Sequence, residues 1–304
     1  MELVTTAVAA VIVTYNRKAK LPTVLDNVLA QSMAPQWVVV VDNASTDGTA
    51  EVVAEYAAKD DRVVVVSLGE NTGGAGGFAT GMARGYELGA DFVWIMDDDC
   101  YPDEHALQEL VTGHAKAEQN LGTQIPYACS LVKFIDGTIC EMNNPGTTWD
   151  WGRLISQGQQ AVLVTHCSFV SVLFPRWVLT RHGLPLREYF IWFDDQEYTL
   201  RVTKDAPGVQ VLTSVAVHDM GVNRGVNFGD VTAQNIWKFE YGARNEASYR
   251  LHRENPVSFV KFVLRLVQGL RGGRVAWPLR VRLLKKVVES VRFNPQPEYP
   301  RSVL

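Results

Sequence analysis

Four short apolar runs, separated by amphipathic stretches, constrain the fold of this 304-residue chain more than any other feature. Valine and isoleucine occupy successive positions in these runs rather than alternate ones, which predicts strands buried on both faces. The runs are Val8 to Thr14, Trp37 to Val41, Val63 to Leu68 and Phe92 to Met96. The helical patterns between them are Leu21 to Gln31, Thr49 to Ala58 and Gly76 to Leu88. This alternation predicts an α/β fold with a mostly parallel sheet flanked by helices.

The pattern loosens after residue 118 into shorter strands and loops that carry aromatic residues and glycine. We expect strands at Tyr127 to Phe134, Ala161 to Phe174 and Val209 to Val217. No low-complexity linker interrupts the sequence, so residues 119–235 are interpreted as a second half of the same sheet. The predicted organisation is one domain over residues 1–235, with halves 1–118 and 119–235, followed by a tail over 236–304.

The tail is helical in pattern and strongly basic, although the whole chain has a net charge of −4. Between Pro256 and Arg292 there are nine basic residues and one acid, Glu289. Basic residues interleaved with apolar ones are typical of helices that lie on an anionic membrane surface. Gly272-Gly273 and Pro278 are expected to divide this stretch into about three pieces. An ordinary helical cap, or an interface in a homo-oligomer, is the alternative.

Composition also limits the compartment and the partners. The net negative charge excludes general electrostatic attraction to nucleic acid. Cys100, Cys129, Cys140 and Cys167 are widely spaced, which predicts buried thiols in a reducing compartment. The N-terminus carries no pattern of a signal peptide, and the longest uncharged stretch, Leu154 to Pro175, is too polar to span a membrane. We therefore expect a protein on the cytoplasmic side.

In a parallel sheet the ligand lies beyond the carboxyl ends of the strands. The segments that follow the four predicted strands are Tyr15-Asn16-Arg17, Asp42 to Ser45, Glu70 to Gly74 and Asp97-Asp98-Asp99. Three carboxylates at a strand end predict a site for Mg²⁺ or Mn²⁺, completed by the phosphates of a nucleotide diphosphate. The alternative is an acidic turn that caps a helix starting near Pro102.

Glycines dominate the segment Asn71 to Gly77, which follows a strand and opens a helix. Such a segment directs backbone N–H groups at an anion. It contains the spacing Gly74-x-Gly76-x-x-Ala79 of a dinucleotide fingerprint, which would indicate an NAD-type oxidoreductase, but that fingerprint belongs after the first strand. The glycines could also serve only close packing of helix on strand. Asp42 could accept from a base N–H or a ribose hydroxyl.

A second acidic pair stands beside aromatic residues in Trp192-Phe193-Asp194-Asp195. A carboxylate within reach of a sugar hydroxyl can remove its proton, and an aromatic wall suits a sugar ring. Asp195 is the candidate base, although both acids could instead cap the helix that runs through Tyr198 to Val202. His218 ends a predicted strand, where it could add a nitrogen ligand to the metal site or be a structural histidine.

These motifs together resemble the inverting GT-A glycosyltransferases of family 2. The resemblance rests on Val11 to Arg17, Val41 to Thr49 and the acidic triplet. More narrowly, Asn71 to Phe78, Trp94 to Asp99 and Trp192 to Asp195 are similar to the galactofuranosyltransferases of mycobacterial-type arabinogalactan synthesis. The length is similar to that of the initiating enzyme, and the Gln-x-x-Arg-Trp motif of processive synthases is missing.

The resemblance implies a UDP-galactofuranose donor and a polyprenyl-diphosphate-linked acceptor that carries N-acetylglucosamine and rhamnose, at the cytoplasmic face of the plasma membrane. It makes residues 1–118 the nucleotide-sugar half and 119–235 the acceptor half. It implies Mn²⁺ or Mg²⁺ held by Asp97, Asp99 and His218, and Asp195 as the base with Asp194 beside it. The nucleotide-sugar residues would be Thr14, Arg17, Asp42, Asn71, Gly73, Gly74, Asp97 and Asp98. Trp192 and Phe193 would bind the acceptor.

Two alternatives to this assignment stay open. The chain could be a family 2 transferase of another sugar, such as a rhamnosyltransferase. It could also be a non-catalytic scaffold that binds a lipid-linked glycan, although a scaffold would not require the candidate catalytic carboxylates.

Overall fold

The computed structural model describes residues 6–301, and this part of the chain contains ten strands. They are β1 (Val8–Thr14), β2 (Trp37–Asp42), β3 (Val63–Ser67), β4 (Phe92–Asp97), β5 (Cys100–Pro102), β6 (Ala128–Phe134), β7 (Gly146–Thr147), β8 (Ala161–His166), β9 (Val172–Pro175) and β10 (Gly208–His218). The four strands predicted in the first half are all present, and β1 has the predicted bounds.

Ten α-helices occur in the same residues. They are α1 (Leu21–Leu29), α2 (Thr49–Ala57), α3 (Gly73–Glu87), α4 (Ala106–Leu121), α5 (Arg153–Ser156), α6 (Arg176–His182), α7 (Asp194–Val202), α8 (Ile236–Tyr249), α9 (Pro256–Gly272) and α10 (Trp277–Glu289). A turn of π-helix, Arg250–Glu254, follows α8.

All ten strands join one sheet in the order β3-β2-β1-β4-β9-β6-β10-β8-β7, with β5 paired to β10. β5, β8 and β9 run against the direction that the other described strands share. The prediction of an α/β fold with a mostly parallel sheet flanked by helices is therefore confirmed. The second half of the sheet continues the first, because β9 pairs with both β4 and β6.

Two predicted boundaries in this region were wrong. The strand expected over Ala161 to Phe174 is two strands, β8 and β9, because β8 pairs with β10 whereas β9 inserts between β4 and β6. A left-handed residue, Ser171 with φ of 58°, lies between them. The helix expected to begin near Pro102 begins at Ala106, because residues 100–102 pair with β10 as a strand.

The apolar runs form strands because both faces of the sheet are covered. Along β1, Ala10 and Ile12 belong to one core and Val11 and Val13 to the other. Helices α1 and α4 pack on the first face, whereas α3, α6 and α7 pack on the second. Alternate side chains of a strand point to opposite faces, so a strand between two helical layers must be apolar at every position.

Close packing of α3 on β1 requires glycine at two positions. A Cβ added to Gly77 would lie 2.4 Å from Cγ1 of Val13, and one added to Gly81 would lie 2.3 Å from Cγ1 of Val11. These distances leave no room for a side chain, so the close-packing interpretation holds for Gly77.

The tail forms a small helical layer with its own core of α8, α9 and α10 residues, such as Phe239, Phe262 and Leu283. The prediction that Pro278 breaks the basic stretch was wrong. Pro278 lies in the first turn of α10, where a missing N–H costs nothing, and the helices are instead separated around Gly273 and at Asn255-Pro256. None of the helices within residues 6–301 is long and apolar enough to span a membrane.

The four cysteines are buried free thiols, as predicted. Burial raises the pKa of the Cys100 and Cys167 thiols well above the ordinary range. These side chains are therefore neutral packing groups.

Candidate active site

Strand pairing brings His218 to Asp97 and Asp99, although it lies more than a hundred residues further along the chain. Asp97 ends β4, and only Asp98 and Asp99 separate it from β5. Antiparallel pairing of β5 with β10 sets Cys100 opposite His218, the last residue of β10. As a result, one ligand atom from each of the three side chains lies within 4.8 Å of the others. This donor set of two carboxylates and an imidazole suits Mn²⁺ or Mg²⁺.

Two contacts orient the His218 ring towards this cluster. Nδ1 lies 2.8 Å from Oδ1 of Asn143, and Nε2 lies 3.2 Å from Oδ1 of Asp99. The Asn143 amide donates to Ser168 Oγ, so we assign its oxygen as the acceptor and Nδ1 as the protonated nitrogen. Nε2 is then the nitrogen available to a cation, because a ligating histidine binds through one nitrogen and donates with the other. Sequence reasoning missed Asn143, which belongs to no motif.

The middle carboxylate of the triplet faces Arg17. Nε of Arg17 lies 3.2 Å from Oδ1 of Asp98, and the backbone N–H of Tyr15 donates to Oδ2 at 3.1 Å. Arg17 also reaches Asp99, at 3.4 Å. Burial, followed by the charge of Asp99, raises the pKa of Asp98 to about 6. Asp98 and Arg17 thus join the end of β1 to the acidic triplet.

The other predicted nucleotide residues lie at the ends of β1 and β2 and in the turn between β3 and α3. Thr14 is buried, and its hydroxyl lies near enough to Asp98 to lower the pKa of that carboxyl. Asp42 is 4% exposed and accepts from the backbone N–H of Ser45 at 3.0 Å. Asn71 accepts from the backbone N–H of Gly73 at 2.8 Å, in the turn that opens α3. Asn43, which sequence reasoning passed over, anchors this turn through its 2.8 Å bond to the carbonyl oxygen of Gly73.

Gly73 and Gly74 have different surroundings. Gly73 has φ of 71°, and a Cβ there would lie 2.0 Å from the carbonyl oxygen of Phe190, so only glycine fits this contact. Gly74 lines the main cavity of the site. Helix α3 begins at Gly73, three residues before its predicted start, and its N-terminus contacts the loop that carries the aromatic residues.

A cavity of about 420 Å³ lies between the strand ends and the tail. Its lining combines carboxylates, His218 and a broad apolar wall, and the residues are Gly74, Phe78, Asp97, Met142, Asn143, Ser168, Phe169, Val170, Ile191, Trp192, Phe193, Asp194, Asp195, Gln196, His218, Val226, Phe228, Gly242 and Glu246. Two depressions of about 700 and 630 Å³ lie elsewhere, but neither contains any of the predicted site residues.

Asp194 and Asp195 open helix α7 on one wall of this cavity. The loop before them is strained, because Phe190, Trp192 and Phe193 all have positive φ, between 63° and 69°. Asn245 of α8 holds this loop, donating from Nδ2 to the carbonyl oxygens of residues 189, 191 and 192. Sequence reasoning missed Asn245, since its partners lie more than fifty residues away.

Trp192 and Phe193, the predicted acceptor residues, both line the cavity. The Trp192 ring packs edge-on against Phe239, with centroids 4.7 Å apart. Phe193 is 8% exposed and packs against Tyr249 of α8. Both rings therefore contact the tail as well as the cavity.

Burial raises the pKa of most carboxyl groups of the site. Burial and then the charge of Asp99 raise the pKa of Asp97 well above its ordinary value, with smaller contributions from Asp98, Asp194 and Asp195. Burial raises the pKa of Asp194 to about 8 and that of Asp195 to about 6. Burial acts to raise the pKa of Asp99, but the contact with His218 and the charges of Arg17 and Lys20 outweigh burial, so this pKa is lowered. Such a concentration of acid favours a bound cation.

The fold and this site define the class of protein. The family model of glycosyl transferase family 2 matches residues 9–162, about half of the chain. The chain therefore belongs to glycosyl transferase family 2, and it is a glycosyltransferase with the GT-A fold.

Two galactofuranosyltransferases are among the relatives of this chain. Galactofuranosyltransferase GlfT1 of Mycobacterium tuberculosis (strain H37Rv) is 30% identical over 234 residues, which is 71% of either chain. Galactofuranosyltransferase GlfT1 of Mycolicibacterium smegmatis is 35% identical over 127 residues. That match spans 42% of this chain and 41% of the relative, less than half of its length.

Solved structures agree on the fold. GalNAc-T7 in complex with UDP, GalNAc and Mn²⁺ superposes with a TM-score of 0.60 at 13% identity, covering 95% of this chain and 55% of that one. S. aureus TarS 1–349 in complex with UDP gives 0.54 at 18% identity, covering 94% and 81%. At these identities the likeness concerns the fold alone.

Proposed function

We propose that the chain is a metal-dependent inverting galactofuranosyltransferase. It moves galactofuranose from UDP-galactofuranose onto a polyprenyl-diphosphate-linked acceptor that carries N-acetylglucosamine and rhamnose, and so starts a cell-wall galactan. Both relatives named above are galactofuranosyltransferases, which supports galactofuranose as the transferred sugar. The observation that carries the proposal is that Asp195 lines the same cavity as Asp97 and His218.

Asp97, Asp99 and His218 would hold Mn²⁺ or Mg²⁺. The fit is supported by the spacing of their ligand atoms, within 4.8 Å, and by Asn143, which leaves Nε2 of His218 available. A bound divalent cation would neutralise the diphosphate as it leaves. The nitrogen ligand favours Mn²⁺ over Ca²⁺.

The nucleotide sugar would lie along the ends of β1, β2 and β4. Thr14, Arg17, Asp42, Asn71, Gly73, Gly74, Asp97 and Asp98 are the proposed binding residues. The buried hydroxyl of Thr14 supports this assignment, because it lies beside Asp98 at the end of β1. Arg17 is 45% exposed and bears a positive charge beside the triplet, which suits a phosphate.

Asp195 would act as the base, with Asp194 beside it. It accepts the proton of the attacking acceptor hydroxyl while the bond to UDP breaks on the opposite face of the sugar, which inverts the anomeric carbon. Its half-buried position supports the role, because burial keeps the pKa near 6 and thus close to the working range of a base. Trp192 and Phe193 would form the platform for the acceptor.

The tail would bring the enzyme to its lipid-linked acceptor at the cytoplasmic face of the plasma membrane, as a peripheral protein. Exposed apolar side chains on α9 and α10 support this, among them Val257, Leu264 and Trp277. Lys261, Arg271 and Lys285 are exposed beside them and make no salt bridge within residues 6–301. Such a surface complements anionic lipid. A homo-oligomer contact is the competing use of the same helices.

The test is release of UDP from UDP-galactofuranose with a synthetic lipid-linked disaccharide acceptor, with and without Mn²⁺ or Mg²⁺. UDP-galactopyranose, UDP-glucose and dTDP-rhamnose serve as control donors, and Asp99→Ala serves as the metal-site variant. Release that needs metal, acceptor and the furanose donor is expected. Turnover only with another donor would mean that the chain transfers a different sugar. No turnover with any donor would favour a lipid-glycan-binding scaffold.

A further inference from the structure

Helix α8 of the tail contributes a carboxylate, Glu246, to the cavity that holds Asp195. Helix α8 packs closely against Trp192. A Cβ added to Gly242, one turn before Glu246, would lie 3.0 Å from Cε3 of Trp192. Glu246 therefore shares a wall with the Trp192 and Phe228 rings. No step of the proposed transfer assigns it a role.

Only one of the two oxygens of Glu246 is bound by protein. Arg250 donates to Oε1 from Nη2 at 3.0 Å and from Nε at 3.3 Å, and Arg265 approaches the same oxygen at 3.8 Å. Oε2 has no hydrogen-bond partner in residues 6–301, although the side chain is only 19% exposed. Burial raises the pKa of Glu246, and Arg250 opposes that rise.

Glu246 lines the cavity, and a ligand that displaces water from the free oxygen must donate a hydrogen bond in its place. The phosphates of the donor are excluded as its partner by their negative charge. A sugar hydroxyl beside an aromatic wall is neutral, can donate, and pairs an apolar face with a polar edge. The Arg250 contact holds the carboxylate in place for such a bond.

We propose that Glu246 accepts a hydrogen bond from a hydroxyl of the acceptor sugar and thereby helps to select the acceptor. This inference rests on the proposed function, since it requires a sugar acceptor in the cavity. It makes the tail part of the acceptor site in addition to any contact with a membrane.

The test compares Glu246→Ala and Glu246→Gln with wild type on acceptors that each lack one hydroxyl of the terminal sugar. Loss of a charged hydrogen-bond partner should raise the acceptor KM by roughly 10- to 100-fold. One deoxy acceptor should be poor for wild type and no worse than the parent acceptor for Glu246→Ala. The Kd for UDP should not change, because the nucleotide lies at the strand ends.

Glu240→Gln is the matched control. Glu240 is on the same helix and also pairs with an arginine, Arg282, but it does not line the cavity, so its variant should keep the wild-type acceptor KM. A wild-type profile across the deoxy series for folded Glu246→Gln would overturn the inference. If Glu246→Ala does not fold, Glu246→Gln alone decides. If wild type does not use the acceptor at all, the proposed function fails first and this inference falls with it.

Discussion

Nδ2 of Asn245 donates to the carbonyl oxygen of Trp192 at 2.9 Å, and this bond ties tail helix α8 to the strained loop before Asp195. The same amide reaches the carbonyl oxygens of Tyr189 and Ile191. Three left-handed residues lie in this loop, and such backbone persists only where its surroundings hold it. The position of Asp195 therefore depends on a residue of the tail.

Asn245→Ala should lower kcat by about 100-fold, because misplacement of a reacting group by about 1 Å has an effect of that size. Three carbonyl oxygens lose a donor, so the free energy of unfolding should also fall by about 1–3 kcal/mol. Single-turnover kinetics and urea unfolding would measure the two effects. Asn235→Ala, in the exposed turn that opens α8, is the control. An unchanged kcat for a folded Asn245→Ala would contradict the positioning role.

A buried ion cluster next to the site should contribute unequally to stability. Glu197 is 0% exposed and pairs with Arg201 through two bonds, of 2.9 and 3.1 Å, but with Arg253 through one contact of 3.3 Å. Arg201→Ala should therefore lower the free energy of unfolding by about 3–5 kcal/mol, since it leaves a buried charge with its weaker partner. Arg253→Ala should lower the free energy of unfolding by less than half as much as Arg201→Ala. Urea unfolding checks both, and equal losses would refute the ranking.

Metal affinity should depend on Asn143, although it is not one of the proposed ligands. Without its 2.8 Å contact, Nδ1 of His218 is unrestrained and the ring can turn away from Asp99. Asn143→Ala should weaken Mn²⁺ binding by about 10- to 100-fold, as for other partners of ligating histidines. Calorimetric titration with Mn²⁺ measures this, with Asn144→Ala as the neighbouring control. Equal affinity in the two variants would rule out the orienting role.

The metal-free protein should lose stability as the pH rises, in part because of Asp194. Below the ordinary aspartate pKa the Asp194 carboxyl is neutral in both the folded and the unfolded protein. Above it the unfolded chain releases the proton, whereas the folded protein keeps it until about pH 8. The stability that Asp194 contributes is therefore fully present at low pH. It is lost as the pH rises from the ordinary aspartate pKa to about 8. The loss is at most about 1.4 kcal/mol for each pH unit.

Asp194→Asn keeps the size of the side chain and stays neutral, so its advantage over wild type should grow from pH 5 to pH 8. Urea unfolding at pH 5, 6.5 and 8 with a chelator present would show this. Asp205→Asn, on an exposed side chain, should show no such growth. A difference between Asp194→Asn and wild type that is the same at all three pH values would contradict the prediction.

Transfer by wild type should fall as the pH drops through about 6, because Asp195, the proposed base, must be deprotonated and burial raises its pKa to about that value. Asp195→Asn should reduce kcat by about 10²- to 10⁴-fold. Its Kd values for UDP and Mn²⁺ should stay within a few-fold of wild type. Lost UDP binding in this variant would instead make Asp195 a structural residue.

Local sequence patterns predicted the first half of the sheet well. Val8–Thr14 is a strand from end to end, because a run of small and branched apolar side chains satisfies both helical layers at once. The same approach merged β8 with β9, since apolar composition alone does not reveal that residues 161–166 and 172–175 pair with different strands. Register and partner are properties of the assembled sheet.

The sequence by itself determined which residues are proposed to carry the chemistry: the triplet after β4, the acidic pair after Trp192-Phe193 and the histidine that ends β10. Each follows an apolar or aromatic run, and that local pattern is readable without coordinates. Only the tertiary structure decided what surrounds them. Asn143, Asn245 and Glu246 belong to no motif, and they meet the site through strand pairing and helix packing between distant segments. A single polar residue acquires such a role from its neighbours in space, which local sequence does not encode.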